Sequence, residues 1–171
     1  MTRTLKSLAT PAPETPPIDG LNPDFSEILA ALASEGASFL IVGAHALAVH
    51  GVPRATGDLD LWVRPDTENA HRVWRALVRF GAPVEAMAIA PADFARPGLV
   101  YQIGLPPRRI DVLTEISGLG FDEAWTSRVV QRVGDLEVPF LGREALLKNK
   151  RASGRAKDLA DLEALDSLSG R

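Results

Sequence analysis

Asp58, Asp60 and Asp111 are the side chains of this sequence whose type and spacing could do chemistry. Asp58 and Asp60 stand in Gly57-Asp-Leu-Asp-Leu-Trp62 and Asp111 in Arg109-Ile-Asp-Val-Leu113, two runs with the apolar flanks of strands. Successive strand side chains point to opposite faces, so Asp58 and Asp60 project on one side, roughly 7 Å apart, while Leu59 and Leu61 face a core. A third carboxylate beside them would gather three negative charges in one place, which is costly unless a cation sits among them. Mg²⁺ is the expected cation, a hard ion held by few carboxylates together with water and substrate phosphates, and it points to phosphoryl or nucleotidyl transfer.

The elements that must position these acids are legible in outline. Residues 1 to 20, with Pro11, Pro13, Pro16 and Pro17, lack periodicity and are expected to form a disordered tail, leaving a single domain over 21–168. Asn22-Pro23-Asp24 reads as a capped helix start followed by Phe25, Ile28, Leu29 and Leu32 at helical spacing, with Gly36 as the stop. A buried strand over 38–42 then passes through Gly43 into a short helix ending at Gly51. The strand 57–63 follows, and a helix capped by Asp66 or Thr67 runs to Phe80 with Trp74, Leu77 and Val78 as its buried stripe. Residues 91–95 suggest a helical turn or two. Strands over 99–103 and 108–113 form a hairpin that sets Asp111 on a central strand, two more are expected at 128–133 and 136–140, and helices at 142–151 and 157–168 close the chain.

Several residues near the acids could touch an anion. Gly43 sits where strand becomes helix, which exposes backbone N–H groups, although glycine is common at any tight turn. Arg54 precedes the paired acids closely enough to reach a phosphate or a carboxylate, or to stand free on a surface loop. Thr56 suits a cap on the turn into the strand. His45 and His50 are five residues apart, not the four that would pair two imidazoles on a helix.

Composition removes other chemistries. There is no cysteine, so disulfides, thiolate zinc sites and cysteine catalysis are excluded. The formal net charge of −3 makes the whole protein no attractor of nucleic acid, though local basic patches remain open. No apolar run is long enough to span a membrane, and a soluble, cytoplasmic protein with no membrane partner is expected.

The order Gly43-Ala44, Asp58-Leu-Asp60, Asp111 resembles the signature of the nucleotidyltransferase-fold superfamily, in which a Gly-Gly or Gly-Ser pair precedes a metal-binding Asp-x-Asp. Arg54-Ala-Thr-Gly-Asp-Leu-Asp60, Arg109-Ile-Asp-Val-Leu-Thr114 and the run from Asn149-Lys-Arg to Lys157-Asp-Leu-Ala-Asp161 extend the resemblance to the small bacterial AbiEii-type and minimal nucleotidyltransferase proteins of toxin–antitoxin systems. Together they span most of residues 38 to 165. The resemblance implies an α/β (α+β) fold with a mixed β-sheet flanked by helices and a helical C-terminus. It implies Asp58, Asp60 and Asp111 as catalytic, metal-binding residues for two Mg²⁺ ions, and Gly43, Ala44, Arg54, Lys150 and Lys157 as nucleotide-binding residues. The substrate would be a nucleoside triphosphate such as ATP, and the acceptor a hydroxyl of a protein, an RNA or a small molecule. A cognate toxin or antitoxin, or RNA, is the implied partner. Lys148, Lys150, Arg151, Arg155 and Lys157 would lie beside phosphates or pin the C-terminal helix, with Asp158 capping that helix. One departure is Ala44, which lacks the hydroxyl of a serine but keeps its backbone N–H. The alternative is a catalytically weak, antitoxin-type binding partner that acts by contact, and a third reading leaves the aspartates as mere turn caps.

Overall fold

The computed structural model describes residues 21–170, so the expected disorder of residues 1–20 lies outside the described residues. In chain order the elements are α1 (Pro23–Ser34), β1 (Phe39–Val42), α2 (Gly43–Val49), β2 (Asp58–Val63), α3 (Thr67–Phe80), a 3-10 turn (Pro91–Ala95), β3 (Val100–Ile103), β4 (Arg109–Leu113), α4 (Phe121–Thr126), β5 (Val129–Val133), β6 (Leu136–Phe140), α5 (Arg143–Ser153) and α6 (Ala156–Ser169). The six strands form one mixed sheet in the order β3-β4-β2-β1-β6-β5. β2 runs parallel to β4 and antiparallel to β1, while β1 runs parallel to β6; β3 and β5 pair antiparallel at the two edges.

Capping chemistry accounts for where α1 begins and where α3 begins and ends. Asn22 Oδ1 accepts from Asp24 N at 2.9 Å and Phe25 N at 3.2 Å, and Pro23 opens α1 where its missing N–H costs nothing. Asp66 Oδ1 accepts from Asn69 N at 2.7 Å, and Gly81 closes α3 in the left-handed conformation at φ 91°. Buried Asn69 had no signal in the sequence. Its amide accepts from Ser38 N and donates to Ser38 O and Arg64 O, tying α3 to the entry of β1 and the exit of β2.

The core lies on the sheet under α1 and α3. Ile41, Leu59, Leu61, Ile110 and Val112 share the sheet face that packs with Ile28, Leu29, Val73 and Leu77, all essentially without solvent exposure. The buried stripe of α3 is Ala70, Val73 and Leu77, whereas the expected Val78 is 45% exposed and Trp74 only partly buried. Val78 follows Leu77 by one residue, about 100° round the helix, and so turns to solvent. The six-residue α4 was not expected; it lays Phe121 edge-on against Trp62 at 5.0 Å, covering the end of β2 beyond the acids. No helix among the described residues is long and apolar enough to cross a membrane.

Candidate active site

Alternation along β2 buries Leu59 and Leu61 completely and leaves Asp58 and Asp60 partly open on the opposite face. Parallel pairing then sets Asp60 opposite Asp111 and Asp58 opposite Arg109. Thr56 Oγ1 accepts from Asp58 N at 3.1 Å, fixing the turn that delivers the first acid. All three carboxylates line one open cleft of about 580 Å³, together with Gly43, Ala44, Arg54, Lys150 and Lys157.

Gly43 is at φ +69°, and a Cβ built on it would overlap Asp60 Oδ2. The glycine therefore makes room for a carboxylate at the mouth of α2. That helix has only seven residues. Asp60 is partly buried beside the other two acids. Burial, then the charges of Asp111 and Asp58, then a carboxyl–carboxyl contact with Asp111 push its pKa up to about 6 against the opposing pull of Arg109.

Arg109 places Nη2 2.8 Å from Asp58 Oδ2 and Nε 3.1 Å from Asp111 Oδ1. The Nε contact is an ion pair without hydrogen-bond alignment. Asp58 Oδ1 and Asp111 Oδ1 are thus left buried with no hydrogen bond. Unused carboxylate lone pairs and an all-oxygen donor set fit a hard divalent cation. The acids are not drawn round a common point, however: among the described residues no preformed group of three metal-ligating side chains exists.

The opposite wall is basic and internally paired. Arg54 Nη1 lies 2.5 Å from Asp161 Oδ1, Lys150 Nζ lies 3.0 Å from Asp161 and 3.2 Å from Asp158, and Arg155 Nε lies 2.8 Å from Asp158 Oδ2. Lys150 is 8% exposed and Asp158 not at all, so this network pins α6 to α5 and to the loop before β2. Asp158 also accepts from Arg155 N at the start of α6. Burial opposes its ionisation, but hydrogen bonds from Arg155, Ser153 and Lys150, with the Lys150 charge, hold its carboxyl well below the usual range. Lys148 pairs instead with Glu123 on the surface. Exposed Lys157 has no carboxylate within salt-bridge distance among the described residues, and it lines the cleft. His45 stacks edge-on against Phe25, its pKa lowered by burial, and His50 Nε2 bonds Leu141 O at 2.8 Å. Neither lines the cleft.

No protein-family model matches the chain, and no curated protein matches it significantly. Among solved structures, the crystal structure of a putative nucleotidyltransferase from Thermotoga maritima superposes with a TM-score of 0.51 and 15% identity, covering 86% of this chain and 91% of that one. The chain has a nucleotidyltransferase-like fold.

Within this nucleotidyltransferase-like fold one residue that lines the cleft and one that braces its basic wall from behind escaped the sequence reading. Arg109 stands two residues before Asp111, and that period-two spacing alone places it on the acid face. Asp161 stands three residues after Asp158, one helical turn, which marks a shared face turned to α5. Asn149 lines the same cleft and donates from Nδ2 to Ser117 O at 2.9 Å.

Proposed function

We propose that this protein is a Mg²⁺-dependent nucleotidyltransferase, which moves a nucleoside monophosphate from a nucleoside triphosphate to a hydroxyl of a protein, an RNA or a small molecule. The observation that carries the reading is the register of β2 and β4, which brings Asp58, Asp60 and Asp111 to one face at the edge of a cleft with a basic far wall. Asp58, Asp60 and Asp111 would hold the metal, which when bound supplies charge neutralisation at the reacting and departing phosphate oxygens. Lys157 offers a free ammonium to the triphosphate, and Gly43 and Ala44 offer backbone at the cleft edge. Asp111 accepts the proton of the incoming hydroxyl. The acceptor's hydroxyl oxygen bonds to the α-phosphorus, the bond from that phosphorus to the oxygen bridging to the β-phosphate breaks, and pyrophosphate leaves with the electron pair.

The three motifs that resemble AbiEii-type and minimal nucleotidyltransferase proteins support a place in a toxin–antitoxin pair, with a cognate protein or RNA as acceptor. A second reading, an antitoxin-type partner acting by contact, is favoured by the internal pairing of Arg54, Lys150 and Arg155, which leaves few free cations for a triphosphate. Incubation with labelled nucleoside triphosphates, Mg²⁺ and host lysate separates the two. Label transferred to protein or RNA by the natural chain, and lost in Asp58→Ala and Asp60→Ala, is the expected result. Transfer that survives both substitutions overturns the catalytic assignment; no transfer with any triphosphate favours the contact reading.

A further inference from the structure

Arg109 stands inside the acid site yet has no part in the reaction just described. It leaves β4 on the same face as Asp111 and faces Asp58 across the ladder, so its guanidinium forks to two of the three carboxylates. Its Nη2 also lies 3.3 Å from Asp111 Oδ2. Three of the far wall's cations are committed elsewhere, Arg54 to Asp161 and Lys150 and Arg155 to Asp158, and Lys157 touches none of the three acids. Among the described residues Arg109 is therefore the cation in direct contact with these acids, and its charge helps three aspartates share one face in the metal-free protein.

The Oδ2 atoms of Asp58 and Asp111 that Arg109 Nη2 holds cannot at the same time be given to a hard cation, which finds only the two Oδ1 atoms open until Arg109 moves. We propose that Arg109 is the resident counter-ion of this site, a gate that a divalent cation must displace from Asp58 and Asp111. The inference rests on the metal reading above. Displacement is open to Arg109 because its side chain is 30% exposed and lines the cleft. A released guanidinium would face the space in which triphosphate oxygens lie, and planar forks bind such oxygens in pairs. The gate therefore keeps metal affinity low until an anionic substrate offers Arg109 a new partner.

The test is calorimetric titration of Mg²⁺ alone, without nucleotide, into the natural chain and Arg109→Gln, with thermal unfolding of each in chelator and in excess Mg²⁺. Losing competing charge-assisted hydrogen bonds should tighten Mg²⁺ binding by about tenfold or more in Arg109→Gln. The variant should melt below the natural chain in chelator, because its acids lack a counter-ion, and the gap should close in Mg²⁺. A purely structural arginine would leave the gap unchanged. Equal or weaker binding by Arg109→Gln, with binding by the natural chain intact, overturns the gate and leaves the metal reading standing; no binding by either overturns both. If Arg109→Gln does not fold, Arg109→Lys, a point charge that cannot fork, should bind Mg²⁺ with intermediate affinity, and affinity equal to the natural chain's overturns the gate.

Discussion

Asp60 and Asp111 are register partners across the parallel β2–β4 ladder, with side chains on the same face of the sheet. Neighbouring strands lie about 4.8 Å apart, so two carboxyls meet at that spacing beside a third. Arg109 relieves Asp58 and Asp111 by direct contact, while Asp60 is left to burial and to its neighbours' charge.

Asp60 should therefore destabilise the metal-free fold when ionised. A carboxyl whose pKa is about 6 when folded and 3.8 when unfolded contributes stability fully below pH 3.8, and that contribution is lost as pH rises through 6. Asp60→Asn removes the titration. In chelator at pH 8 the variant should exceed the natural chain by about 2 to 3 kcal/mol, or roughly 5 °C in melting temperature, with the advantage shrinking towards pH 4. Thermal unfolding across that pH range checks it, and a pH-independent difference would remove Asp60 as the strained group. Transfer activity should fall to background in the same variant.

Lys150 is expected to matter to the fold more than to ligand binding. Lys150→Met leaves Asp158 and Asp161 buried with fewer cations, a loss of about 3 kcal/mol or more. The depressed carboxyl of Asp158 contributes stability above its unfolded value near 3.8, and this is lost as pH falls through its folded value. The deficit of Lys150→Met should accordingly narrow in strong acid. Urea midpoints at pH 7 and pH 2.5 measure it, and an equal deficit at both would show that packing of the lysine stem, not its charge, holds α6.

The placement of the acids was legible because strand alternation is a robust period: once β2 and β4 are strands of one buried sheet, Asp58, Asp60 and Asp111 have little choice of face. The order of glycine turn, paired acids and later acid carried the fold for the same reason. Partners of long cations were not legible. Arg54 could reach phosphate or carboxylate from its position in the chain, and only the packing of α6 selects Asp161. Asn69 gave no signal because a polar residue in a helix looks solvent-facing until the ends of β1 and β2 surround it. α4 is six residues long, too short for a helical period to show.

Lys157 should behave oppositely to Lys150. It is exposed, unpaired among the described residues and at the cleft, so Lys157→Ala should change stability by less than about 0.5 kcal/mol. Loss of one charged contact to a triphosphate should weaken nucleotide binding about fivefold, with a smaller penalty at high salt. Calorimetry with ATP and Mg²⁺ at low and high ionic strength reads both. Unaltered affinity would place the triphosphate away from α6.

Gly43 tests whether the site and the backbone are built together. Its φ of +69° costs a side chain about 1 to 2 kcal/mol by itself, and an added Cβ also overlaps the Asp60 carboxylate. Gly43→Ala should thus lose more stability than backbone strain alone explains, and it should weaken Mg²⁺ binding by moving Asp60. Asp60→Ala removes the overlapping oxygen. In that background Gly43→Ala should cost only the backbone strain, so a double-mutant cycle of unfolding free energies should show a coupling of about 1 kcal/mol or more. Additive losses would mean that the turn geometry alone demands glycine at 43, and that Asp60 occupies the space because it happens to be empty.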